Sequence, residues 1–459
     1  MIIPKKHLFS PVSNERRLLT QSVHDKLARV IPRERLEEWV SRESGGCRER
    51  LYPPQVTLGL FVEQVIHSDQ ACQDAVGRSL SQRTALGLKA NSLNTGPYCK
   101  ARQRLGFGLL HGLAQEIAAQ AEQAGEAHWR WRGRPVKLID GTTVSMPDTA
   151  ENQAAFPQNH EQAPGLGFPV ARVVGVISLL SGCVLDWAVS ACEGKGTGEL
   201  VQLQALLTGF TRGDIVIADR AYCAYFLLAK LQQRGIDCVI REHQSRKNDL
   251  RRATRLGKRD YVVTWQKPRC SHWMDESTYA TMPETLQLRE VKDGNWSIIT
   301  TLTDAATVTA KEVAWLYRQR WQIELDFRSI KCVMQMDILR CKSPPMVEKE
   351  IAAHLLGYNL IRALMGTAAK AGMCMPRQLS LAAARRAVVT FQERLRDNPA
   401  ASFDAAHEQL LRSIAYWRIP DRPDRVEPRA VKRRPKPHRL LTLPRHIARK
   451  QLLKQQVQA

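Results

Sequence analysis

Eleven cysteines are scattered along this 459-residue chain without one Cys-x-x-Cys pair. That absence argues against a zinc ribbon and against a disulfide framework, so reduced thiols in a cytosolic protein are expected. Cys270 and His272 in CSHW offer two metal ligands and no second pair, too few for a zinc site. No long apolar run is present. The longest nearly uncharged stretch, residues 173–185, contains Gly and Ser and is too short to span a bilayer. The opening MIIPKKHLFSPVSNERRLL lacks the apolar core of a signal peptide, so neither membrane nor export is expected. EGKGTGEL at 193–200 is glycine-rich but lacks Walker spacing. It reads as a flexible entry to a helix, and no nucleotide cofactor is expected. Acidic residues are also short: 45 Asp plus Glu face 68 Lys plus Arg, a formal net charge of +23. An excess of that size points to a polyanion, with nucleic acid the first candidate.

The 44% hydrophobic content supports folded protein over most of the length, and the length itself implies more than one domain. Residues 1–128 read as helices, with apolar residues at three- and four-residue steps in TLGLFVEQVIHSDQACQDAVGRSL and after the turn residues of SLNTGPYCKARQRL. Lys100, Arg102 and Arg104 are expected to share a phosphate-contacting surface. After residue 129 the pattern changes. VKLIDGTTVSM, ARVVGVISLL, CVLDWAVSAC, DIVIADRAY and IDCVIREH are β-branched-rich and of strand length. Helical GELVQLQALLTGF and AYFLLAKLQQRG fall between the later ones. Three strands, then helix, strand, helix, strand predict an α/β fold around a mixed five-stranded sheet. Residues 244–305 break the alternation and read as a β-rich insertion in a core spanning 129–345. Residues 346–400 are helical, and 401–459 form a basic tail expected to be flexible and to attach to nucleic acid by charge.

WLYRQRWQIELDFRSIK, residues 315–331, carries the most chemistry. Read as one helix, it places Arg320, Glu324, Lys331, Arg328 and Trp321 within about 60° of Tyr317. Leu316, Ile323, Phe327 and Ile330 form an adjoining apolar stripe. Amphipathicity alone is cheap, and Arg320 with Glu324 at i, i+4 can be an ordinary surface pair. Two aspartates upstream change the reading. Asp140 in VKLIDGTT lies in or at the end of an apolar strand, and Asp219 follows Ile215, Val216, Ile217 and Ala218. A carboxylate there is costly unless it is partnered. With Glu324 on a helix beside that sheet, the three acids form a candidate site for Mg²⁺ or Mn²⁺. Two such ions about 3.5–4 Å apart suit in-line attack at phosphorus.

In order and spacing these residues resemble the DDE transposases of bacterial insertion sequences. More narrowly they are similar to the insertion-sequence-four branch, whose Tyr-x2-Arg-x3-Glu-x6-Lys signature is met by Tyr317, Arg320, Glu324 and Lys331. DGTT at Asp140, ADRAY at Asp219 and TGPYCKARQRL resemble other segments of that branch. The resemblance implies a ribonuclease H-like catalytic core with a β-rich insertion, an α-helical N-terminal DNA-binding domain and a helical C-terminal region. It implies two metal ions on Asp140, Asp219 and Glu324. Tyr317, Arg320 and Lys331 would grip a terminal phosphate, and Trp296 would stack on a base flipped from the DNA end. Arg220 is left without a role. The implied activity is excision at terminal inverted repeats, through a hairpin, and joining of 3′ ends to target DNA. Double-stranded DNA, a homodimer in a synaptic complex and a place on the bacterial nucleoid follow from it. A catalytically inactive, repressor-like DNA-binding relative and a ribonuclease H-like host nuclease are the alternatives.

Overall fold

The computed structural model of the chain describes residues 30–44, 51–246, 248–270, 274–397, 403–420 and 440–458. The opening segment, His272 of the CSHW motif and most of the basic tail lie outside these residues.

Among the described residues five α-helices precede the sheet: α1 (Arg33–Ser44), α2 (Pro54–Ile66), α3 (Cys72–Ala85), α4 (Gly96–Arg104) and α5 (Phe107–Gln123). Pro54 opens α2 at a position whose N–H has no helical acceptor to lose. On α4 the expected basic surface divides. Lys100 and Arg104 are exposed, but Arg102 is buried, its guanidinium over the rings of Phe61 and Tyr98. Residues two apart on a helix point to nearly opposite sides, so the three could not share one face.

The sheet contains all five expected strands: β1 (Val136–Ser145), β2 (Val170–Ser178), β3 (Val184–Ala191), β4 (Ile215–Ala218) and β5 (Asp237–Arg241). A short helix α6 (Ala150–Ala155) follows β1, while α7 (Glu199–Leu206) and α8 (Tyr225–Gln233) make the crossovers into β4 and β5. β1 runs antiparallel to β2 and parallel to β4, and β4 runs parallel to β5. The sheet does not stop at five. The insertion adds β6 (Thr254–Gly257), β7 (Asp260–Gln266), a helix α9 (Glu276–Ala280), β8 (Thr285–Asp293) and β9 (Trp296–Thr300). Its last strand pairs with β5, which gives one nine-stranded sheet in the order β3-β2-β1-β4-β5-β9-β8-β7-β6. The reason lies in β5: its outer edge would otherwise offer unpaired backbone groups, and β9 covers it.

Strand alternation sorts the two faces. Val136, Leu138, Ile215, Ile217 and Val239 belong to one core, whereas Ile139, Val216, Ala218, Cys238 and Ile240 belong to the other, with α7 and α8. The first core is shared. It runs from Ile31 through the sheet to Ile414 and takes in the long helix α12 (Pro344–Ala371), which follows α10 (Ala310–Arg318) and α11 (Trp321–Arg328). Asn359 on α12 joins the layers, donating to the carbonyls of Ala114 and Val184 and accepting from the Val184 N–H.

The carboxyl-terminal stretch corrects an expectation. Beyond α13 (Leu381–Asp397), residues 403–416 form α14 (Phe403–Tyr416), which buries Ala406, His407, Leu410 and Ile414. Their three- and four-residue spacing makes a packed helix, not a flexible tail. A last helix, α15 (Arg445–Gln458), follows.

Candidate active site

Residues 315–331 are not one helix. The α10 helix starts on a capping box of Thr309 and Glu312 and ends at Arg318. Gln319 and Arg320 donate their N–H groups to the carbonyls of Leu316 and Tyr317, three residues back. That tightened turn separates α10 from α11, and a wide π turn at Ser329–Val333 follows. The single wheel therefore fails in detail. Its apolar stripe survives: Leu316, Ile323, Phe327 and Ile330 are all buried. Lys331 lies in the π turn, half-buried.

Alternation delivers both aspartates to the α11 side. Asp140 keeps step with Val136 and Leu138, and Asp219, one residue past β4, keeps step with Ile215 and Ile217. The parallel register pairs Leu138 with Ile217, so two further steps set Asp140 beside Asp219. Across β2, Asp140 pairs with Gly175. A Cβ on Gly175 would stand 3.2 Å from the Phe327 ring, so this glycine lets α11 seat close to the strand carrying Asp140.

Arg320 joins the acids. Its guanidinium donates to Glu324 Oε1 at 2.5 Å and lies 3.6 Å from Asp140 Oδ2. Asp140 also accepts from the Gly141 N–H at 2.8 Å, and Asp219 accepts from the Ala221 N–H at 2.8 Å. Burial pushes the Asp140 carboxyl up to about 6; Asp219 and Glu199 add to the rise, and the Gly141 N–H and Arg320 oppose it. Among the described residues no three His, Cys, Asp or Glu side chains form a ready-made metal cage. The donor chemistry nevertheless suits a divalent cation: the oxygens are hard, and crowded carboxylates ionise together only when positive charge is supplied.

The aromatic side of the site lies on α10 and β9. Tyr317 is buried, and burial raises its phenol above the usual value. Its ring meets Trp296 edge-on at 5.9 Å, and Arg241 at the end of β5 lies 5.5 Å over the same indole. Trp296 remains 41% exposed, which leaves its ring accessible to a stacking partner. Arg220 donates to Gln244 at 2.8 Å. The sequence reading missed Arg241 and Glu199. Arg241 carried the same signal as the two aspartates, a charge ending an apolar strand; Glu199 carried none beyond its place at a helix start.

Asp140 gives a pH prediction. Its pKa is higher in the folded chain than the ordinary 3.8, so folding favours its protonated form. The resulting instability is absent below about pH 4, grows as pH rises through the interval from 3.8 to about 6, and is complete above it. Asp140→Asn should therefore stabilise the chain at pH 8 in EDTA, on the order of 2 kcal/mol, with no gain near pH 4. Thermal melts of both proteins at the two pH values check this. A variant less stable than wild type at pH 8 refutes it.

The chain matches the family described as Transposase DDE domain over residues 131–360. It is 30% identical over 348 residues to the Transposase InsG for insertion sequence element IS4 of Escherichia coli (strain K12), covering 73% of this chain and 76% of that one. It is 45% identical over 53 residues to the Transposase for insertion sequence element IS421 of Escherichia coli, 12% of this chain and 14% of that one. Among solved structures, a piggyBac transposase synaptic complex with hairpin DNA aligns with a TM-score of 0.43 and 10% identity, over 86% of this chain and 85% of that one. No helix among the described residues is long and apolar enough to cross a membrane.

Proposed function

This chain belongs to the DDE transposases, in the insertion-sequence-four family, and on that premise we propose that it excises an element at its terminal inverted repeats and joins the freed 3′ ends to target DNA. The observation that carries the reading is the gathering of Asp140 and Glu324 on one guanidinium, with Asp219 next along the sheet. We assign the five strands β3-β2-β1-β4-β5 to a ribonuclease H-like core, with β6–β9 as its insertion. The domain division 1–128, 129–345, 346–400 and 401–459 is proposed with it, although the first core is continuous across those boundaries.

Asp140, Asp219 and Glu324 would hold two divalent cations, Mg²⁺ or Mn²⁺. When bound, these lower the pKa of a water or 3′ hydroxyl and stabilise the leaving oxygen at phosphorus. Every other task falls to the protein. Arg320 exchanges its carboxylate partners for a terminal phosphate, where its planar fork matches the oxygens. Tyr317 and Lys331 complete that grip, the phenol kept protonated as a donor by its burial. Trp296 receives a flipped base on its exposed face, held upright by Tyr317 and Arg241. Basic surfaces, among them exposed Lys100 and Arg104, follow the backbone. Cutting two ends together calls for a homodimer in a synaptic complex.

The full-length protein, mixed with the ends of its own element and Mg²⁺, should nick at the repeat boundary and then form a hairpin. Equal cleavage of DNA without the repeats favours a host nuclease. Binding without cleavage in either metal favours an inactive, repressor-like relative. Trp296→Ala should keep the first nick and slow hairpin formation on the order of 10–100-fold, matching about 1–3 kcal/mol of lost stacking. Equal loss of both steps would remove the base-stacking role.

A further inference from the structure

Three acids approach the site from the α11 side of the sheet, and a fourth carboxylate approaches from the opposite side. We infer that Glu199 is a cation-binding residue of this active site, reaching Asp140 and Asp219 over the bare backbone of Gly141. The inference rests on the reading of Asp140, Asp219 and Glu324 as cation ligands.

Glu199 is the first residue of α7, which returns from β3 across the second core. Strand alternation turns Asp140 toward α11 and Gly141 toward α7. A Cβ at Gly141 would stand only 2.8 Å from Glu199 Cδ and closer still to Oε1. Any side chain there would force the carboxylate away. The two glycines of this part of the sheet thus do matching work: Gly175 admits α11 on one face, and Gly141 admits Glu199 on the other.

An independent feature points into the same space. Tyr222 ends the short turn that Asp219 caps, and its side chain is fully buried. Among the described residues no atom stands in hydrogen-bonding position to its hydroxyl, and Glu199, ahead of Asp140 and Asp219, is the acid whose charge acts on it most strongly. A buried hydroxyl left so is costly, and an oxygen ligand or metal-bound water at this point would satisfy it. The competing account is an ordinary ion pair with Arg172. The Arg172 Nε lies 3.8 Å from Glu199 Oε1, beyond hydrogen-bond range, and Nη1 of the same guanidinium donates to the Thr197 carbonyl at 2.8 Å. Four carboxylates facing few cations attract a divalent ion more strongly than three.

The test is Mn²⁺ titration of the full-length protein by calorimetry, comparing wild type with Glu199→Gln, Glu199→Asp and Asp140→Asn. Glu199→Gln should weaken Mn²⁺ binding about 10–100-fold without lowering the melting temperature in EDTA or the affinity for terminal DNA in EDTA. Raising Mn²⁺ should restore its cleavage. If Glu199→Gln does not yield folded protein, Glu199→Asp carries the test, since its shortened carboxylate keeps the charge and should weaken Mn²⁺ binding as well. Unchanged Mn²⁺ affinity in the Glu199 variants, with Asp140→Asn strongly impaired, overturns the role of Glu199 and leaves the three-acid reading standing. A lower melting temperature with unchanged Mn²⁺ affinity overturns it in favour of the Arg172 ion pair. Unchanged affinity in Asp140→Asn as well refutes both.

Discussion

Glu324→Gln should lower strand cleavage at the element's ends by at least about a thousandfold while the protein still binds those ends in EDTA. The size follows from the chemistry. Stabilisation of charge at phosphorus by a bound cation is worth several kcal/mol, and each 1.36 kcal/mol is tenfold in rate, so losing about 4 kcal/mol costs about three decades. Gln keeps the shape of Glu and loses its charge. Stability should change little, because the Glu324 carboxylate is 36% exposed and its pairing with Arg320 spans one helical turn; such pairs contribute at most about 1 kcal/mol. The two effects separate cleanly. Cleavage by the variant within tenfold of wild type, measured on a labelled end with Mg²⁺, removes Glu324 from the site.

Asp326→Ala should destabilise the whole fold by about 3–5 kcal/mol, a larger loss than any change at the exposed acids. Asp326 is two residues from Glu324 and has the same charge, but it points into the core and is 1% exposed. Arg362 donates to its Oδ1 at 2.6 Å and Arg377 to its Oδ2 at 2.9 Å, with the Tyr358 hydroxyl at 3.2 Å. Arg377 in turn donates to the carbonyls of Ser178 and Leu179. This one carboxylate therefore ties α11 to α12 and to the end of β2, and its removal leaves the buried Arg362 and the partly buried Arg377 short of a counter-charge. Urea unfolding followed by circular dichroism measures the loss. A midpoint equal to that of wild type would show that the neighbours re-form their bonds without it. Asp326→Asn, which retains the shape and one acceptor, should fall between the two.

The pair Glu324 and Asp326 shows how far the sequence could be read. Hydrophobic periodicity found the strands at residues 136–145, 170–178, 184–191, 215–218 and 237–241, because a strand buried on both faces must be apolar throughout. Against that background Asp140 and Asp219 stood out. The helix wheel found the apolar stripe from Leu316 to Ile330, since burial dictates it. It did not find the tightened turn at residues 319–320, because no Gly or Pro marks that turn; the packing of α10 and α11 on different strands imposes it. The same wheel sets Asp326 about 160° from Glu324, yet only the packing shows Asp326 buried against two arginines.

What the chain alone determined was the set of elements and the charges placed on them, since propensity and periodicity act over a few residues. Tertiary structure decided which charges meet. Strand register put Asp140 beside Asp219, two side-chain-free positions at Gly141 and Gly175 let elements close in from both faces, and the unpaired edge of β5 drew the insertion into the sheet. Those outcomes depend on contacts between residues far apart in sequence, which only the folded chain brings within reach of one another.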